Sequence, residues 1–331
     1  MYLLAHLSRL TFAIESGALA LPETGEIGVV GAGARYDLGS LPSDRLTLVS
    51  RWKPDVDAFL VSGYRVESGI LSGTRLLIVV LPRAKVAARD MLATAAETGA
   101  EIWIDGEKTS GVDSIYRDLK ARADVGLPIA KAHGKIFSLA PGQDLSDWRS
   151  PPQHVSGYRT AAGTFSADGP DPGSVLLVEA LPHKLGRHVA DLGASWGYLS
   201  AQLLERSAQL ELLDVVEADG VALDCARSNV DDDRARFHWA DATDWRPDVA
   251  CDAVVMNPPF HNGAAGSPEL GRRFIENASR ILTPRGDLWM VANRHLPYEA
   301  TLSDAFQNVR ELPGDPRYKL FHASGPRHRS A

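Results

Sequence analysis

"VADLGASWGYLS", residues 189–200, decides the fold. An apolar run that reads as a buried strand stops at Asp191, Gly193 and Gly197 open the chain, and "GYLSAQLLERSA" then carries apolar residues at helical spacing. A strand, a turn of small residues and a helix form the repeating unit of a parallel α/β sheet. Such sheets bind ligands at the carboxyl ends of their strands, where glycine lets a ligand approach the backbone. A glycine pair alone also fits an ordinary strand-to-helix turn.

The alternation continues outward. Strands "LELLDVVEAD", "ARFHWADA", "CDAVVMNPP" and "GDLWMVAN" follow, with "GVALDCARSNV" and "ELGRRFIENASRIL" as intervening helices. On the amino-terminal side, "APGQDLSDWRSPPQHVSGYRTAAG" (140–163) replaces apolar runs with proline, glycine and polar residues and reads as a connection between domains. Before it, strands "EIGVVGA", "RLTLVS", "TRLLIVVLP" and "EIWIDGE" alternate with helices "PDVDAFLVSG" and "AKVAARDMLATAAETG". The expected fold is therefore α/β with two tandem Rossmann-like domains, residues 1–150 and 151–331, without an obvious sequence repeat between them. A length of 331 residues suits two domains of ordinary size.

The formal net charge is −7, and the acidic excess lies in the second half, with 18 basic against 24 acidic residues. That balance excludes gripping nucleic acid by bulk charge and leaves local basic patches and base contacts. Cys225 and Cys251 form no Cys-x-x-Cys pair, which fits a reducing cytoplasm. His6, Arg9 and Glu15 interrupt the apolar opening segment, so it reads as an amphipathic helix rather than a secretory leader. No stretch has the apolar length that spans a bilayer, so no membrane partner is expected.

Two acids extend the glycine turn into a constellation. Glu217 ends the second strand of the unit and Asp241 follows the third, both at the ligand-binding edge. A carboxylate at the first position can accept both ribose hydroxyls of an adenosine, and one at the second can accept from the adenine amine. Each acid could instead cap a helix or face solvent. Together they look like the S-adenosylmethionine site of a class I methyltransferase, although a nicotinamide dehydrogenase also places an acid after its second strand.

The fourth strand separates these readings, because it runs into Asn257, Pro258, Pro259 and Phe260. An exocyclic amine or amide nitrogen is a poor nucleophile while its lone pair is delocalised. The side-chain oxygen of Asn257 and the carbonyl of Pro258 can each accept one N–H and turn that lone pair towards a methyl group. Proline fixes the loop and adds no competing donor. Phe260 offers a stacking face to a flipped base, and His261 is a loop residue or substrate contact.

"GTFSADGPDPGSVLL", "NPPFHNG" and "LWMVANRHLPY", with "VVLPRAKVAARDML" and "DGEKTSGVDSI" in the first half, resemble the RsmC/RlmG group of bacterial ribosomal RNA guanine-N2 methyltransferases. The resemblance implies a degenerate first domain for RNA recognition or support and a catalytic second domain. It implies S-adenosylmethionine contacts at Asp191, Gly193, Ser195, Gly197, Glu217 and Asp241. It places Asp171, Gly173 and Ser174 near the cofactor's amino-acid end, where a helix cap would read the same way. The partner it implies is ribosomal RNA or a ribosomal subunit; the small subunit is favoured, and a monomer is expected.

Other readings are another RNA base, a protein glutamine, or a silent RNA-binding factor. The last is motivated by Ser195 and Trp196, which stand where the family usually has a middle glycine. If Ser195 needs positive φ the loop is strained, and Trp196 must turn away from the pocket or fill part of it. "VVGAGARYDLGSLP" in the first half imitates the glycine turn, but "SRWKPD" supplies no acid at the next strand end, so a structural turn is expected. Arg83, Lys85 and Arg89, with Arg117, Lys120 and Arg122, are candidate phosphate contacts.

Overall fold

Short runs of Val, Leu and Ile with no polar alternation have to be buried on both faces, and such runs form the parallel centre of two mixed sheets. The structure, a computed structural model, describes residues 7–259 and 268–327. It divides into two units, Met1–Pro151 and Pro152–Ala331.

The first unit runs α1 (Arg9–Glu15), β1 (Ile27–Val30), β2 (Leu46–Val49), α2 (Lys53–Val61), β3 (Arg65–Glu67), β4 (Leu76–Val80) and α3 (Lys85–Ala96). It continues through β5 (Glu101–Glu107), α4 (Val112–Lys120), β6 (Ile129–Lys131) and β7 (Gly134–Leu139). Its sheet has the order β3-β2-β1-β4-β5-β7-β6, with β7 antiparallel to both of its neighbours. Among the described residues the opening helix is Arg9–Glu15, and Ser8 caps it by accepting from the Thr11 amide.

The second unit opens with a hairpin, β8 (Gln153–Val155) and β9 (Tyr158–Thr160), inside the segment that reads as a connection. α5 (Pro172–Ala180), β10 (His188–Leu192), α6 (Tyr198–Arg206), β11 (Leu212–Glu217), α7 (Gly220–Asn229), β12 (Ala235–Trp239) and β13 (Cys251–Met256) follow. α8 (Pro268–Ile281), β14 (Leu282–Asn293), α9 (Glu299–Ala305), β15 (Phe306–Leu312) and β16 (Tyr318–Pro326) complete it. The sheet order is β12-β11-β10-β13-β14-β16-β15. One face is covered by α8 and α9 through Phe274, Ile275, Leu302 and Ala305, and the other by α5, α6 and α7 through Leu177, Leu203 and Leu223.

Strand for strand, the two orders are the same, and the register agrees in detail. Val30 of β1 pairs with Val49 of β2 and Val79 of β4, as Leu192 of β10 pairs with Val216 of β11 and Met256 of β13. The glycine after each first strand makes the same bond, Gly31 to the Val49 carbonyl at 3.1 Å and Gly193 to that of Val216 at 2.9 Å. Extending this register by one residue sets Ser50 where the second unit has Glu217, and Val80 where it has Asn257. The two units thus share one Rossmann-like plan, and only the second carries polar groups at both positions.

Candidate active site

The strand order reverses at β10 and β13, which opens a crevice beyond their carboxyl ends. The turn after β10 borders it. Gly193 has φ +74°, and a Cβ there would meet the Phe274 ring at 3.1 Å, so no side chain fits without displacing that ring. Ser195 has φ +50°, the left-handed backbone anticipated from its position. Such backbone costs an L-residue roughly 1–2 kcal/mol, and here it is held by a 2.7 Å bond from the Ser195 amide to Glu217 Oε2.

Trp196 is buried and turned into a compartment of its own with Tyr158, Tyr198 and Cys225. Its indole N–H donates to the Phe165 carbonyl at 2.8 Å, and Asn229 donates to the Trp196 carbonyl at 2.8 Å. The Tyr158 ring, 5.1 Å away, brings the β8–β9 hairpin onto the same compartment. Trp196 is therefore an anchor for the turn, and only part of it borders the crevice. Gly197 then serves as the N-cap residue of α6.

The acids divide into two kinds. Glu217 is buried and accepts from two backbone amides, Ser195 at Oε2 and Asp219 at Oε1, both at 2.7 Å. Burial pushes its pKa up to about 7 against the pull of those bonds. Asp191 is fully buried behind the turn. One oxygen accepts from Ser200 at 2.6 Å, and the other has no partner among the described residues. Burial raises it to about 7 as well, and the Ser200 bonds oppose the rise. Asp241 is more open: it accepts from the Thr243 amide at 2.8 Å and lies 3.9 Å from Arg273.

A cleft brings Asp171, Ser174, Gly193, Ser195 and Asn257 together. Asp191, Glu217 and Asp241 do not line it. Phe165, not singled out from the sequence as a site residue, stands at its edge with 43% of its surface exposed. Its exposure beside a polar cleft is what marks it, and sequence carries no sign of that. Asn257 Nδ2 donates to Asp171 Oδ2 at 2.9 Å and to Ser174 Oγ at 2.8 Å. Asp171 is the N-cap of α5, accepting from the Ser174 amide at 2.9 Å, and Pro172 follows as the first helical residue. Pro258 is buried, and Pro259 lies against the glycine turn. Phe260 and His261 fall outside the described residues.

A second polar group crosses the same sheet. Asp214 accepts from His188 at 2.6 Å and His238 at 2.7 Å, with Cys251 Sγ 3.7 Å from His188. Burial works to raise Asp214, but the two imidazole bonds win and hold it at about 2. These bonds tie β10, β11 and β12 together.

A family model described as the methyltransferase small domain matches residues 157–322. The ribosomal RNA small subunit methyltransferase C of Shewanella loihica is 31% identical over 261 residues, covering 74% of this chain and 75% of that protein. The protein of the same name from Hahella chejuensis is 31% identical over 257 residues, 70% of this chain and 71% of that one. The chain belongs to this methyltransferase family. The family's chemistry is methyl transfer with S-adenosylmethionine as donor. The fold agrees over both units: the T. thermophilus 16S rRNA N2 methyltransferase RsmC, solved with AdoMet and guanosine, superposes with a TM-score of 0.77 over 97% of this chain and 92% of that one, at 21% identity.

Proposed function

We propose that this protein transfers a methyl group from S-adenosylmethionine to the exocyclic N2 of a guanine in small-subunit ribosomal RNA, in the cytoplasm, with its second unit performing the chemistry. The observation that carries the proposal is the Asn257 amide, held by its nitrogen at the carboxyl end of β13 and bordering the cleft beside the Gly193 turn. The names of the relatives and of the structural neighbour supply the RNA and the guanine.

The residues present suit the cofactor. Each Glu217 oxygen uses one lone pair on a backbone amide and keeps one for a ribose hydroxyl. The unpartnered Asp191 oxygen suits a ligand that brings N–H donors, and Asp241, which follows β12, is proposed to accept from an adenine amine. Bound there, S-adenosylmethionine would supply an electrophilic methyl group on a sulfonium.

The chain's own residues then act on the target. Asn257 Oδ1 and the Pro258 carbonyl accept the two N–H groups of the guanine amine, which draws its lone pair out of conjugation. Neither group takes a proton, so N2 releases its proton to solvent. Phe260 is proposed as the stacking platform and His261 as a substrate contact.

For the first unit we propose RNA recognition or support. Ser50 and Val80 stand where the second unit has Glu217 and Asn257. Its glycine turn is braced by Asp55 of "SRWKPD", which accepts from the Ala34 amide at 2.8 Å; this acid sits in α2 and not at a strand end. Of the basic residues expected at phosphates, Lys85 and Arg89 pair with Asp118, and Arg122 pairs with Asp147. Those three are neutralised within their own unit.

The test is incubation with S-adenosylmethionine and small ribosomal subunits, followed by nucleoside digestion and mass spectrometry. N2-methylguanosine is expected. Another methylated base, or methylglutamine in ribosomal protein, would move the target, and no product would favour a silent RNA-binding factor.

A further inference from the structure

We propose that Asp171 and Ser174 are positioning residues for methyl transfer, which fix the Asn257 amide by its nitrogen so that Oδ1 is left to receive the target amine. The inference rests on the methyl-transfer reading and reassigns these two residues from the cofactor to the substrate side of the site.

An asparagine amide can present either edge, and for a target that offers only N–H the wrong edge repels. Here the choice is imposed. A carboxylate accepts and does not donate, so the edge of Asn257 that faces Asp171 must be the nitrogen. That nitrogen has two hydrogens, and both are used, one on Asp171 Oδ2 and one on Ser174 Oγ. Oδ1 is the amide's remaining polar atom, and Asn257 borders the cleft.

The clamp is itself fixed by the backbone. Asp171 Oδ2 also accepts the Ser174 amide as the cap of α5, so its position is set by the first turn of a helix. Gly173 leaves room for it: a Cβ there would stand 2.9 Å from the Tyr318 ring and 3.0 Å from Asp171 Oδ2. The sequence Asp-Pro-Gly-Ser thus reads as one device. Asp171 caps and clamps, Pro172 starts the helix, Gly173 admits Tyr318, and Ser174 completes the clamp.

The test uses the full chain. Asp171→Ser keeps a capping oxygen but is too short to reach Asn257, and Ser174→Ala keeps the cap and removes one acceptor. Asp171→Asn can place its amide oxygen where Oδ2 stands, so it is the rescue. At saturating S-adenosylmethionine, single-turnover transfer to 16S rRNA is expected to fall roughly 10- to 100-fold in the first two variants. Transfer stays within about threefold in Asp171→Asn, and the dissociation constant for S-adenosylhomocysteine changes by less than about threefold in all three. Transfer at the wild-type rate in both Asp171→Ser and Ser174→Ala, or a loss confined to cofactor affinity, overturns the inference. Hydrogen exchange of the Asn257 side-chain amide, assigned by ¹⁵N labelling, reads the clamp without RNA: slow exchange in wild type and fast exchange in Asp171→Ser are expected. Fast exchange in wild type overturns the clamp. If wild type methylates no RNA while the amide is protected, the guanine reading fails and the clamp stands.

Discussion

Replacing Glu217 with glutamine separates the charge of this residue from its shape. In the folded protein its two oxygens accept the Ser195 and Asp219 amides at 2.7 Å each. Burial raises the carboxyl from 4.5 to about 7. A carboxyl whose folded pKa is raised stabilises the fold below its unfolded value, and that contribution is lost as pH rises through the folded value. A shift of about 2.5 units corresponds to ~3 kcal/mol across the window from pH 4.5 to 7. Glutamine does not titrate, but its NH₂ must face one of the two backbone N–H groups, costing roughly 1–3 kcal/mol at every pH. Asp191, also raised to about 7, titrates alike in both proteins and cancels from the difference.

Urea unfolding of both proteins from pH 5 to 8.5 is the assay. At pH 5 Glu217→Gln is expected to be the less stable, and the gap closes by up to ~3 kcal/mol by pH 8.5. A gap that stays constant across this range refutes the burial argument. Cofactor binding gives a second reading, because glutamine cannot accept both ribose hydroxyls, and the dissociation constant should rise about tenfold or more.

Ser195→Gly relieves roughly 1–2 kcal/mol of left-handed strain and forfeits about 0.4–1 kcal/mol through the freer unfolded chain. Calorimetry should find S-adenosylhomocysteine binding within about threefold of wild type, and a tenfold tightening would show that serine distorts the turn. Trp196→Ala empties a buried compartment and removes the bond to Phe165. A loss of about 3–5 kcal/mol is expected in thermal or urea unfolding, and an unchanged transition would contradict the anchoring role.

The sheet around the glycine turn was legible because its strands are mostly apolar and end at Leu192, Glu217 and Met256, with a glycine turn, an acid or prolines marking the carboxyl edge. What pairs across long stretches of chain was not. Asp171 and Asn257 lie 86 residues apart, and nothing in the sequence pairs them, although Asn257 donates to Asp171. Strands β8 and β9 have three residues each and mostly polar side chains, so their hairpin reads as a connection until Tyr158 is seen against Trp196. The tryptophan in the turn looked like an obstacle because sequence gives its position and not its direction. The twin plan of the two units was visible as alternation, but their shared register rests on backbone hydrogen bonds that tolerate almost any apolar side chain.

On the proposed reading, methyl transfer takes place at Asn257, beyond the end of β13. Its most direct test is single-turnover methylation of 16S rRNA in small subunits by wild type and Asn257→Ala, with S-adenosylhomocysteine binding measured on the same preparations. Loss of an acceptor that acts in the transition state should slow transfer by about 10²- to 10³-fold, with the dissociation constant within about threefold of wild type. Transfer by Asn257→Ala within tenfold of wild type at saturating cofactor would contradict it.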